Sequence, residues 1–121
     1  FSSVDGSYNI PSDLTLKTNV LSVGSVLPAI MKLEAKSYEY KKSLGKKSIG
    51  FIAQDVQKVF PELVKQLNAD NGQSVMTLDY AGFGVLALKA IQEQQTVIEK
   101  QQKALDALEA RLQALEARLN E

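Results

Sequence analysis

Cysteine and histidine are both absent from the chain. Without cysteine there is no disulfide, no thiolate nucleophile and no thiolate-held zinc. Without histidine the usual general base and the commonest metal ligand are gone. Any chemistry therefore rests on Ser, Thr, Lys, Tyr or carboxylates, and neither a metal nor a cofactor is expected. An excess of charge of either sign is also missing: 14 basic side chains stand against 14 acidic ones. That removes the electrostatic footprint of a nucleic-acid binder. No apolar run approaches the roughly 18 residues of a membrane span, and the first residues lack the pattern of a signal peptide. What is present is ordinary for a folded chain: 121 residues, 45% apolar and 23% charged, about one domain's worth. A chain opening on Phe1 is expected to be part of something longer.

Three zones differ in character. Residues 1–11 (FSSVDGSYNIP) are weakly patterned and read as an extended lead-in, the end of an upstream stalk or domain. Residues 12–79 are mixed and compact. Residues 80–121 contain no proline and no glycine after Gly84, and read as one long helix. Within the middle zone, Leu14 to Val20 alternates loosely and suits a short strand, and Val23 to Leu33 suits a helix with Pro28 in its first turn. Ser37 to Lys41 puts Tyr38 and Tyr40 on one side of a strand, followed by a Lys-rich loop through Gly45. Ile49 to Ile52 reads as a strand. Ala53 to Phe60 reads as a short helix with Val56, Val59 and Phe60 inward, stopped at Pro61. Leu63 to Leu67 and Val75 to Leu78 flank an Asn71-Gly72 turn and predict a hairpin. A core of about 65 residues with few aromatics is small enough to need support from elsewhere.

The C-terminal zone carries an unbroken heptad register. Position a falls on Ile91, Ile98, Leu105, Leu112 and Leu119; position d falls on Gln94, Gln101, Leu108 and Leu115. Four heptads of this kind predict a coiled coil. Packing within one chain accounts for Val85 to Ile91 but not beyond Lys100, where no partner of matching length exists. Copies of the same chain are the economical cover for the Leu seam. Arg111 at g and Glu116 at e bracket Leu112 and Leu115, an arrangement similar to the Arg-apolar-x-x-apolar-Glu motif of parallel trimers, so a parallel homotrimer is expected ahead of a dimer. In a trimer the Arg111 stem covers the neighbouring core layer while its guanidinium meets a carboxylate. The fold class is thus α+β, a small mixed module of short strands and helices followed by a long helix in a parallel trimeric coiled coil.

On spacing, Ser12 and Lys17 are the only plausible nucleophile-and-base pair near a zone junction. A Ser hydroxyl needs a base, and Lys serves only when burial leaves it neutral. On spacing alone, a helix cap or turn at Ser-Asp and a solvated Lys account for the same residues far better than a dyad does. Asp70-Asn71-Gly72 lacks the later Glu of a calcium loop, the Lys41/Lys42 and Lys46/Lys47 cluster suits a solvated loop, and Asp55 and Glu62 suit a helix start and a turn.

Several blocks occur together in order: Ser12-Asp13, Leu16-Lys17-x-Asn19, Tyr38-x-Tyr40, GFIAQDVQKVFPELV from Gly50 to Val64, Asp79-Tyr80, and Ala90-Ile-Gln-Glu93. From Ser12 to Gln95 the chain resembles the C-terminal intramolecular chaperone domain of endosialidases, phage tail fibres and tail spikes, which is related to a domain of myelin regulatory factor. The resemblance implies a trimer that brings an upstream fibre, spike or adhesin of the same chain into register. It also implies self-cleavage at Pro11–Ser12, with Ser12 as nucleophile, Lys17 as general base, and Asp13 and Asn19 in support. A location in the virion tail or a bacterial surface fibre goes with it, without nucleic acid or membrane. A chaperone kept permanently as the trimerisation cap or adhesive tip of a fibre stays open beside the self-cleaving one. Sedimentation across micromolar dilution is expected to show a particle of about 40 kDa, three times the 13.2 kDa chain. A lone chain would remove the coiled coil.

Overall fold

The computed structural model describes residues 9–68 and 70–121, so most of the expected lead-in lies outside the described residues. In order, the elements are a 3-10 turn Leu14–Leu16, helix α1 (Leu27–Ile30), strands β1 (Lys36–Glu39) and β2 (Lys47–Gly50), helix α2 (Ala53–Gln57), a 3-10 turn Pro61–Leu63, strands β3 (Val64–Asn68) and β4 (Ser74–Leu78), and helix α3 (Tyr80–Leu119). The strands form two separate antiparallel hairpins, β1–β2 and β3–β4. This is the small α+β module with a long C-terminal helix that the sequence predicts.

The strand expected over Leu14 to Val20 is not formed. Asp13 accepts hydrogen bonds from Thr15 N (2.9 Å) and Thr15 Oγ1 (2.8 Å), which winds the chain into a turn. Asn19 then adopts a left-handed φ of 52° that ends any extended run. The helix expected over Val23 to Leu33 shrinks to four residues, with Pro28 in its first turn as anticipated. The second strand is Lys47–Gly50 rather than Ile49 to Ile52. Pairing with β1 sets that register, Tyr38 opposite Ser48 and Lys36 opposite Gly50, while Ile52 becomes the residue that starts α2. The second hairpin lies where it was read, Val64 opposite Leu78 and Asn68 opposite Ser74. Its turn uses Gly72 at φ 80°, and Asn71 Oδ1 accepts from Gln73 N at 3.0 Å.

The core consists of Val26, Val56, Phe60, Leu63 and Ala90, with Leu27, Leu33, Phe51, Val59, Phe83 and Leu86 packed around it. Val56 is completely enclosed. The start of α3 is therefore part of the module. Asp79 caps that helix by accepting from Gly82 N at 3.1 Å, and Asp79 N donates to the Leu63 carbonyl at 2.8 Å. Phe51 stacks on Phe83 at 5.2 Å. Val85, Leu88 and Ile91 face outward, so within the stretch assigned to intramolecular packing it is Leu86 and Ala90, preceded by Phe83, that turn inward. At Gly50 a side chain has no room: a Cβ there would stand 2.5 Å from Tyr80 Oη.

Phe60→Ala removes the largest side chain of a five-residue core and is expected to cost about 3–5 kcal/mol. Urea titration should show the tyrosine near-ultraviolet signal of the module collapsing at lower denaturant. The far-ultraviolet helix signal contributed by the distal part of α3 should outlast it.

Candidate functional site

Residues 9–25 lie on the surface without strand or α-helix, and their apolar members Ile10, Leu14, Leu16, Val20, Leu21 and Val23 are all exposed. Within that segment the 3-10 turn folds the chain back on itself. Leu16 N donates to the Asp13 carbonyl and Lys17 N to the Leu14 carbonyl, at 3.0 and 3.1 Å. The turn brings Lys17 Nζ to 2.7 Å from Ser12 Oγ, so the two residues singled out by spacing are in direct contact. In that hydrogen bond the Lys nitrogen donates and the Ser oxygen accepts. A general base needs the reverse, a neutral amine accepting from the hydroxyl, and both side chains are open to solvent here.

The supporting residues have separate positions. Asp13 is the cap of the 3-10 turn, and its carboxyl is held below its ordinary value by the Thr15 N–H first and the Thr15 hydroxyl second. It shapes the turn that joins Ser12 to Lys17. Asn19 stands two residues beyond Lys17 in the left-handed region, a conformation that Asn tolerates and that concentrates at functional turns.

Glu93, quoted above only as part of a motif, has a structural task that the sequence did not disclose. From α3 it accepts hydrogen bonds from Ser25 Oγ (3.1 Å), Val26 N (2.7 Å) and Leu27 N (3.2 Å). These are the amides that a short helix leaves unpaired at its start, and Val26 supplies no cap of its own. Burial works against the Glu93 charge. The N–H groups of Val26 and Leu27, the Ser25 hydroxyl and the nearby Lys89 outweigh it, and the carboxyl sits below its ordinary value.

Tyr38 and Tyr80 close over Gly50, and Tyr40 packs against Tyr38. Tyr38 and Tyr40 meet edge to face at 5.4 Å, and Tyr80 Oη accepts from Phe51 N at 3.2 Å. The Tyr38 hydroxyl is pushed up to about 12, by the hydrogen bond with Tyr40 first and by burial second, so it stays protonated at neutral pH and offers no base. The remaining candidates are peripheral. The Lys41–Lys47 stretch is the exposed β1–β2 loop, closed by Gly45 N donating to Glu39 Oε1 at 3.0 Å. Asp55 and Glu62 lie in the first turns of their short helices.

Along α3 the heptad positions Ile91, Gln94, Ile98, Gln101, Leu105, Leu108, Leu112, Leu115 and Leu119 are all exposed, the leucines from Leu105 to Leu115 by 53–57%. Arg111 and Glu116 lie on opposite flanks of the Leu112/Leu115 stripe, too far around one helix to serve only each other. Gln95 to Glu99 and Gln102 to Asp106 hydrogen bonds, at 3.3 and 3.0 Å, run along other faces of the helix. Among the described residues no helix is long and apolar enough to cross a membrane.

Residues 12–65 match the family described as chaperone of endosialidase, a match that begins at Ser12. Among curated proteins the chain is similar to the long tail fibre protein Gp37 of Enterobacteria phage M1, 33% identical over 107 residues. That alignment covers 81% of this chain and 42% of the fibre protein. The Gp37 of phage Ox2 is 32% identical over the same length and shares, and that of phage K3 is 28% identical over 87 residues, 69% of this chain and 7% of the fibre. The chain thus spans less than half the length of these relatives.

The Glu93 clamp carries a sign for pH. A carboxyl held lower in the folded state than its ordinary 4.5 contributes stability that is fully present above that value and lost as pH falls through the folded one. Wild type should therefore melt above Glu93→Gln at neutral pH, and thermal melts should show the gap closing as the pH is lowered below about 4.5.

Proposed function

The chain belongs to the chaperone-of-endosialidase family through residues 12–65, and from that premise we propose that it trimerises and registers the upstream part of a phage tail fibre and then releases it by self-cleavage at Pro11–Ser12. The observation that carries the release step is the 2.7 Å contact between Ser12 Oγ and Lys17 Nζ. That contact lies in a segment whose apolar residues are uncovered in the single chain. The domain organisation follows: 1–11 ends the stalk, 12–79 is the chaperone core, and 80–121 is the coiled-coil helix.

The long helix supports the trimer. The apolar a positions from Ile91 to Leu119, with Leu108 and Leu115 at d, need cover, and three parallel copies provide it with Arg111 of one chain reaching Glu116 of the next. Local helical contacts form fast, whereas β-rich stalk pairing over long sequence separations is slow. Joining the three C-termini first raises the effective concentration of the stalks to about millimolar or above.

Trimer packing would also bury the segment around Ile10, Leu14, Leu16 and Val20, removing water from the dyad. Desolvation favours the neutral amine, which reverses the Ser12–Lys17 hydrogen bond. Lys17 takes the hydroxyl proton while Oγ forms a bond to the Pro11 carbonyl carbon. Collapse of the tetrahedral centre breaks the C–N bond, with the proton returned from Lys17 to the Ser12 nitrogen. The resulting ester is hydrolysed by water, leaving a Pro11 carboxylate and a free Ser12 amine. Exposed Lys17 in an unassembled chain keeps release waiting on assembly, and a fibre stripped of its nucleating domain is kinetically locked.

The test uses the full-length parent protein on a denaturing gel. Wild type is expected to split into two bands, and Ser12→Ala and Lys17→Ala to remain whole. Leu108→Asp with Leu112→Asp should abolish both the trimer and the split. A wild type that assembles but stays uncut supports the permanent cap instead.

A further inference from the structure

We propose that Glu93 is the positioning residue that ties the Ser12/Lys17 segment to the assembling helix, so that cleavage reports where α3 is rather than merely whether Ser12 and Lys17 touch. The proposal rests on the self-cleavage reading above and assigns a regulator to that site.

Three features lead to it. First, among the described residues the hydrogen bonds of residues 12–17 run within the segment itself, so they form the dyad without anchoring it to the module. Second, the chain from Lys17 onward has no regular structure until Leu27, and its first hold on the body is at Ser25, Val26 and Leu27. All three groups there donate to the two oxygens of one carboxylate, Glu93, across 66–68 residues of sequence. Third, Glu93 stands between Ile91 and Gln94, the first a and d positions of the seam. The same turn of α3 thus faces neighbouring copies on one side and the start of α1 on the other.

The reach is short. Eight residue steps join Lys17 to Ser25, so fixing Ser25 to α3 keeps the dyad within at most about 28 Å of Glu93. A carboxylate suits the task, because hydrogen bonds to a charged acceptor are stronger than neutral ones and both oxygens take donors at once. An amide in its place keeps one acceptor oxygen for Val26 N–H and presents a donor to Leu27 N–H. Misplacing a reacting group by about 1 Å costs up to a hundredfold in rate.

The experiment compares Glu93→Gln and Glu93→Ala with wild type in the full-length protein. It measures cleavage rate on gels, trimer mass by sedimentation, and amide exchange at Leu16, Lys17, Val26 and Leu27. The expected result is about a ten- to hundredfold slower cleavage in Glu93→Ala, with partial recovery in Glu93→Gln and the trimer mass unchanged. Exchange at Val26 and Leu27 should be faster in Glu93→Ala, while Leu16 and Lys17, which bond within their own turn, stay as in wild type; Ser12→Ala should stop cleavage and leave exchange as in wild type. Wild-type cleavage in a trimeric Glu93→Ala protein that has lost protection at Val26 and Leu27 overturns the proposal. Should wild type itself remain uncut, the cleavage reading fails, and the anchoring is judged by exchange alone: unchanged protection at Val26 and Leu27 in Glu93→Ala overturns it. If Glu93→Ala does not assemble, Glu93→Gln carries the same comparison.

Discussion

The constraint on which everything else depends is the uncovered apolar stripe of α3. Forty helical residues reach about 60 Å, and among the described residues the apolar side chains of α3 that pack on the core are those of the first turns, through Phe83, Leu86 and Ala90. From Ile91 onward the a and d side chains meet solvent. Leu105 to Leu115 are 53–57% exposed, so covering each would contribute about half of the roughly 1.5–3 kcal/mol of a full burial.

The attachment is made at a few named points. Asp79 caps the helix and its amide meets the Leu63 carbonyl; Tyr80 holds the Phe51 amide; Glu93 holds Ser25, Val26 and Leu27. These bonds reach the second 3-10 turn, the end of β2 and the start of α1. All three originate within fifteen residues at the start of one helix, from its cap Asp79 to Glu93, so α3 is tied to the module at each of these points. Gly50 and Gly82 are the close approaches that permit it. A Cβ at Gly82 would run into the Leu63 side chain, as one at Gly50 would into Tyr80.

The Ser12/Lys17 contact illustrates the difference between geometry and activation. A turn capped by Asp13 is enough to bring the side chains together. It does nothing to remove water, and a solvated ammonium is a donor rather than a base. Proposed assembly supplies what the turn lacks, by covering the apolar residues that flank the pair. Under the proposed function, association would come before chemistry.

Much of this was legible from short-range pattern. The heptads after Ile91, the Asn71-Gly72 hairpin, the Val56/Phe60 face and the stop at Pro61 are local signals, and local stereochemistry decides them. The strand expected over Leu14 to Val20 was misread because alternation says nothing about whether a partner strand exists, and Asp13 offered the backbone a competing turn. The residues of the candidate pair were visible as residue types five apart, but their contact required that turn. Glu93 was visible only as a letter in a motif. Its role depends on packing that brings position 93 to position 26, and no periodicity encodes a hydrogen bond spanning 67 residues. Sequence alone thus determined the long C-terminal helix with its heptad stripe, the Asn71-Gly72 hairpin and the short α2, since those follow from neighbours along the chain. Only the tertiary structure decided which carboxylate ties them together, since that follows from neighbours in space.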